Sequence, residues 1–257
     1  VIMVNGRPVN LEDWLAWCEQ GMGVQDIARM LGLNPSRVEQ LAKEFRNAGF
    51  PSPPWLEPGP LSVLDPETDD GAYVLRILWG LLYKDKDGYM VGHKDKWYVD
   101  TVQEYLGIEG FSSYSSSRWA LRITRPADVL SLRQILDTQA WTPCGARERS
   151  YPRGHLDDRG FIRAWIELYS SVDMVKAGGE RKQTPRLRIT GKNELLADIY
   201  SLLWLWTGAP GRLQKLSDDT KVLYYRGSVF FGLLEWLYNR AELGNPSVRE
   251  RLYAAFE

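Results

Sequence analysis

A chain of 257 residues with 44% hydrophobic and 25% charged side chains and a formal net charge of −1 has ordinary globular composition and room for two cores, which excludes disordered and fibrous classes. Its longest apolar runs, such as IYSLLWLWTG at 199–208, fall short of the ~20 residues that a membrane-spanning helix needs. No basic stretch leads into a long apolar segment at the N-terminus, so a cytoplasmic protein without a membrane partner is expected.

Apolar positions at helical spacing predict three short helices in 10–47, separated by the glycine-bearing stretches 21–23 and 32–34. Within them, VQDIARMLGLNPSRV (24–38) places Ala28 where two helices would cross, Gly32 where a tight turn needs a permissive backbone, and Val38 where the second helix packs back. Asn34 suits an N-cap and Pro35 the first helical position. Ser36, Arg37, Gln40 and Lys43 then face outward, and on the early turns of a recognition helix they can reach base edges or phosphates. The stretch resembles the helix-turn-helix units of transcription regulators and recombinases over about 25 residues; small three-helix units also serve as protein-contact modules. PSPPWLEPGP (51–60) follows, and its prolines favour an extended, semi-rigid connection. A helix-turn-helix domain at 1–50, a linker at 51–69 and a larger domain at 70–257 are expected.

In the larger domain one pattern runs twice, at roughly 70–140 and 158–242: helix, strand pair, helix, strand pair, helix. The first copy predicts a helix at 72–84, a strand at 89–93, a helix at 98–106, a hairpin of 114–117 with 119–124, and a helix at 127–138. The second predicts a helix at 160–169, strands at 172–176 and 186–190, a helix at 193–206, a hairpin of 212–216 with 222–226, and a helix at 229–240. The expected class is α+β, two pseudo-symmetric αββαββα repeats preceded by a small all-α domain. Trp79, Trp165, Trp204 and Trp206 lie in these helices and read as core.

Charge is concentrated in the second copy, where 176–226 holds ten basic residues against five acids. Strand 186–190 alternates, with Arg186 and Arg188 on one face and Leu187 and Ile189 on the other. Arg186, Arg188, Arg212, Lys215 and Lys221 are expected to line a sheet face laid against a duplex, whose major groove admits a two-stranded ribbon. The plain alternative is a solvated sheet face with no ligand.

LWGLLYKDK (78–86) resembles the LAGLIDADG motif, with Gly80 third and Asp85 eighth; IRAWIELYS (162–170) sits at the matching place, with Ala164 third and Tyr169 eighth. Small third residues let two helix backbones approach closely. Together with the duplicated downstream elements, 70–242 resembles a monomeric, two-repeat LAGLIDADG homing endonuclease. The resemblance implies a DNA-binding saddle, a monomer, double-stranded DNA as partner, and a pair of eighth-position acids holding Mg2+ over the scissile phosphates. By it Asp85 is the catalytic metal ligand and Arg122 the basic residue near the cleavage centre. Tyr169 and Tyr224 stand as vestigial counterparts, since a phenol stays protonated at neutral pH and ligates magnesium poorly. Glu167, sixth in its motif, is expected to cap or orient the helix end.

The expected function is sequence-specific binding of double-stranded DNA with cleavage lost or weakened, and with Mg2+ as cofactor only if cleavage is retained. Two alternatives stay open. One is an active, metal-dependent DNA endonuclease or nickase, completed by His155, Asp157 or Asp158, which otherwise cap the second motif helix. The other is an RNA-binding intron maturase, against which the helix-turn-helix favours duplex DNA.

Overall fold

A computed structural model describes the chain except for residues 1, 5–6, 21, 48–63, 86–87, 109–111, 116, 143–148, 177–182 and 218. Most of the expected linker therefore lies outside the described residues. The chain divides into two compact units, Val1–Ser62 with Ile123–Gln134, and Val63–Arg122 with Ile135–Glu257. No helix among the described residues is long and apolar enough to cross a membrane.

The first unit opens on an antiparallel pair, β1 (Ile2–Val4) and β2 (Arg7–Val9), ahead of α1 (Leu11–Glu19), α2 (Val24–Leu31) and α3 (Pro35–Asn47). Trp14 stacks on Phe45, with ring centroids 4.7 Å apart, in a core completed by Val9, Leu41 and Ala42. Ile27, Ala28 and Val38 form a second cluster between α2 and α3. Gly32 ends α2 in the left-handed region, at φ 62°, and returns its N–H to the carbonyls of Ala28 and Arg29. Asn34 starts α3 by accepting the Arg37 N–H at 2.8 Å. α6 (Pro126–Thr138) forms where a helix closing the first repeat was expected, and its residues up to Gln134 cluster with this unit, with Leu130 against the Trp14 core.

The second unit holds the repeats. α4 (Asp69–Leu81), β3 (Leu82–Asp85), β4 (Gly88–His93), α5 (Lys96–Leu106), β5 (Ser113–Ser115) and β6 (Arg118–Ile123) make the first. α7 (Asp158–Tyr169), β7 (Ser170–Lys176), β8 (Gln183–Lys192), α8 (Asn193–Thr207), β9 (Arg212–Lys215), β10 (Thr220–Arg226) and α9 (Gly227–Tyr238) make the second. α10 (Pro246–Tyr253) and a 3-10 turn (Ala254–Phe256) follow. The two four-stranded antiparallel sheets have equivalent strand orders, β3-β4-β6-β5 and β7-β8-β10-β9.

α4 and α7 are buried on every side over 71–79 and 160–167, charged Arg76, Arg163 and Glu167 included. They start alike: Thr68 accepts the Gly71 N–H, and Asp157 the Gly160 N–H. A Cβ on Gly160 would lie 1.9 Å from the Asp69 carbonyl oxygen, so the two helix backbones approach closely here, near their N-terminal ends. Asp69 also receives Arg163, at 3.1 Å and 2.5 Å, and Arg159, at 2.9 Å. Burial alone would raise the Asp69 carboxyl; the hydrogen bonds and charges of these two arginines outweigh it and hold the group below its ordinary range.

Two tryptophans read as core are not. Trp79 and Trp165 are buried, but Trp204 and Trp206 are 52% and 57% exposed. α8 buries Leu195, Leu196, Ile199 and Leu203, and residues 204–206 turn successive side chains through about 100° each, so one core face cannot take all three.

Candidate nucleic-acid interface and the base of the motif helices

The helix ends set the equivalence of the repeats. Leu81 is the last residue of α4, and its cap, Leu82, returns an N–H to Leu78; Tyr169 is the last of α7, and its cap, Ser170, returns an N–H to Ile166. Counted from these caps, Tyr169 matches Leu81, and Asp85 matches Asp173. The expected pairing of Asp85 with Tyr169 is therefore out of register. Its cause is local: the apolar run continues past Leu81, but the backbone leaves the helix there and pairs Leu82 with Val91 and Asp85 with Gly88.

Asp85 and Arg122 do meet, at 3.7 Å, on the first sheet. On the second, Asp173 takes Arg186 at 2.5 Å and Arg188 at 3.8 Å. The Arg186 hydrogen bond is the largest influence on Asp173 and holds its carboxyl below the usual range. Each repeat thus presents an aspartate of its first strand to arginine from another strand of its sheet. Tyr224 lies opposite both Arg188 and Arg212 in register, and its ring lies 4.8 Å beneath the Arg186 guanidinium. It is a platform for arginine.

Register also decides which cations share a face. Arg226 pairs with Arg186, and Tyr224 with Arg188 and Arg212, so these residues point one way. Lys221 pairs with Gly191 and Lys215, in phase with the buried Leu187, Ile189 and Leu223. Lys215 and Lys221 accordingly leave the expected face, while Arg226 joins it. On the first sheet Arg118 and Arg122 share an exposed face of β6, and the Arg118 side chain reaches Gly92 beside Tyr83. In the first unit Ser36 and Gln40 are exposed on α3, Arg37 is paired with Glu44 at 3.2 Å, and Lys43 is half-buried.

The joint C-terminal end of α4 and α7 holds guanidinium where carboxylate was expected. Arg76 is 1% exposed and lies 3.9 Å over Trp165, 5.1 Å over Tyr169 and 5.6 Å over Phe161. A Cβ on Gly80 would meet its Nη1 at 2.2 Å, so the missing side chain makes room for Arg76. Burial pushes the guanidinium down to about 10, against the attraction of the Tyr169 phenol, which leaves it a cation at neutral pH. Arg149, also buried, donates to the carbonyl of Trp79, in the last turn of α4, and to that of Leu82, just past its end, and lies 4.4 Å over Trp141. Nothing in the motif spacing signalled either arginine.

No family model matches the chain, and no curated protein does. Solved structures do. The meganuclease I-SmaMI bound to uncleaveable DNA with a TTCT central four is similar over 74% of this chain and 91% of that chain, at 10% identity and a TM-score of 0.50. The I-LtrWI LAGLIDADG homing endonuclease bound to target DNA is similar over 76% and 90%, at 11% identity and the same score of 0.50. The fold is that of the LAGLIDADG homing endonucleases.

Whether the metal implied by the LAGLIDADG resemblance suits these residues is a separate matter, and they do not fit it. The helix ends carry Leu81 and Tyr169 in place of an acid pair, and among the described residues no group of three or more His, Cys, Asp or Glu side chains gathers elsewhere. Asp85 is engaged by Arg122. Glu167 is buried and accepts from Tyr73, from Tyr238 at 2.8 Å and from the Asn245 N–H at 3.0 Å; it ties α7 to α4 and α9. Burial raises its carboxyl in spite of these donors. The spare candidates sit at the other end of α7, about 18 Å from Tyr169 at 1.5 Å per residue. There Asp157 caps the helix, and Asp158 accepts from Tyr151 at 2.8 Å and Trp206 at 3.0 Å.

Proposed function

We propose that this chain binds double-stranded DNA sequence-specifically, as a monomer, and that its cleavage activity is lost or severely weakened. The observation that carries the reading is the outward face of the second sheet, where Arg186, Arg188, Arg212 and Arg226 surround Tyr224. Guanidinium groups on a pleated ribbon can donate in pairs to phosphate oxygens or to the major-groove edge of guanine. Asp173 holds Arg186 in place until a nucleic-acid acceptor competes for it. The DNA complexes of I-SmaMI and I-LtrWI support the same assignment. Hydrolysis of a phosphodiester by two metals needs oxygen ligands at the helix ends, and Leu81 and Tyr169 stand there. In the first unit, Ser36 and Gln40 on α3 are proposed as a second, helix-borne contact.

The test starts with a duplex selected from a random library by the purified chain. Binding to that duplex should exceed binding to unrelated DNA by about 1,000-fold or more at physiological salt. A plasmid carrying the site should stay supercoiled in Mg2+ or Mn2+. Linearisation at the site would establish an endonuclease, and preference for single-stranded RNA over the selected duplex would establish the maturase reading.

A further inference from the structure

The metal implied by the LAGLIDADG resemblance and the side chains at the helix ends disagree, and the disagreement has structural content. The C-terminal end of a helix carries the equivalent of about half a negative charge, and so favours a cation beside it. Arg76 supplies one from inside α4. Phe161, Trp165 and Tyr169 recur every fourth residue along α7 and form one aromatic stripe under its guanidinium, at 5.6, 3.9 and 5.1 Å. Such faces attract a planar cation but offer a hard divalent ion no oxygen ligand beyond one phenol. Two of the Arg76 nitrogens, Nε and Nη1, have no acceptor among the described residues, so the aromatic faces and the Tyr169 phenol are what hold the group. Arg149 adds a second buried guanidinium on the carbonyls of Trp79 and Leu82, at the end of α4.

We infer that Arg76 is a built-in cation that closes the shared C-terminal end of α4 and α7 to divalent metal, so that the repeat unit engages DNA with no metal ion there. The DNA half of this inference rests on the function proposed above; the metal half stands without it. A carboxylate introduced at this place would pair with Arg76 before it could ligate a metal. Restoring an acid pair is therefore not enough to restore a metal site, and the guanidinium must go as well.

The experiment follows free Mn2+ by electron paramagnetic resonance during titration of the full chain. Four proteins are compared: wild type, Arg76→Met, Leu81→Asp/Tyr169→Asp, and the triple variant that adds Arg76→Met to that acid pair. Wild type and the acid pair with Arg76 retained should show no saturable Mn2+ binding into the millimolar range. The triple variant should bind at least about tenfold more tightly than the acid pair alone, as expected when a neighbouring cation is removed from two carboxylates. Saturable binding by wild type, equal binding by the acid pair with and without Arg76, or a folded triple variant with no gain would each overturn the inference. Should the triple variant fail to fold, the wild-type and acid-pair titrations still decide, because binding in either contradicts the inference and its absence in both upholds it. Separately, wild-type affinity for the selected duplex should change by less than about twofold between EDTA and Mg2+ at matched ionic strength, the known competition of Mg2+ for phosphates being thereby controlled. A tenfold gain with Mg2+ would overturn the DNA half alone.

Discussion

Asp69 lies 2.5 Å from a guanidinium that is completely buried, Arg163, and the pair behaves as one unit. Removing the acid strands the cation, so Asp69→Ala should cost about 3–5 kcal/mol in chemical denaturation. The folded-state pKa of Asp69 is depressed; its contribution is therefore complete above the unfolded value and is lost as pH falls below about 4. Glu167 carries the opposite sign, since its folded pKa is raised. Its contribution is complete below the unfolded value and declines as pH rises through the folded one. Melting temperature against pH should accordingly lose part of its acid-side fall in Asp69→Asn and part of its decline above that range in Glu167→Gln. Profiles for both variants parallel to wild type would refute these assignments.

The same separation of roles applies to the surface cations. With Arg188, Arg212 and Arg226 replaced by alanine, the slope of log affinity against log salt should shrink by about two to three, close to one for each lost phosphate contact. Lys215→Ala/Lys221→Ala should leave the slope within about one of wild type, because these residues lie on the opposite side of the sheet. Equal flattening by the two sets would place the duplex elsewhere.

Among the elements, the crossing of α4 and α7 depends on Gly160, where a Cβ would overlap a backbone oxygen. Backbone cannot yield as a side-chain tip can. Gly160→Ala should therefore lower stability by about 3 kcal/mol or more, at the upper end of overpacking costs, and by more than Gly80→Ala, whose Cβ meets the end of the Arg76 side chain. Comparable denaturation midpoints for the two variants would contradict this account of the crossing.

Much at this scale was legible in the sequence. The repeat, its helices and the strand pairs β7–β8 and β9–β10 follow from periodicity, and Ala28, Gly32 and Val38 take the places their sizes suggest. β3 is hidden in the sequence because its first two residues, Leu82 and Tyr83, continue the apolar spacing of the helix before it, and only the pairing of Leu82 with Val91 shows that the backbone has extended. That one boundary displaced Asp85 from the place assigned to it. The faces of Lys215 and Lys221 depend on cross-strand register, which a single strand does not encode. Arg76 was invisible for a different reason: a charged residue in an apolar helix is explained only by the aromatic stripe of another helix.

At the scale of the whole molecule, the division into units ignores the division along the chain. The first unit takes Ile123–Gln134 from beyond the first sheet, and Leu130 packs on its core of Val9, Trp14, Leu41, Ala42 and Phe45. A fragment of residues 1–50 should thus melt at lower temperature, and bind a hydrophobic dye more strongly, than the same fragment joined through a flexible tether to 123–134. Identical melting of the two would mean that the late segment adds nothing to the unit.

This interleaving bears on how such a protein could be inherited and rearranged. A domain that is one uninterrupted stretch of chain can be moved between genes by two cuts. The small unit here cannot, because part of its core is encoded more than a hundred codons downstream of its first residue, between the strands of the first sheet and the second motif helix. Recombination at the proline-rich stretch would carry off three helices with a gap in their hydrophobic contacts and leave behind a repeat with a helix to cover. The two units are thus expected to descend together, and to change partners only when both are copied.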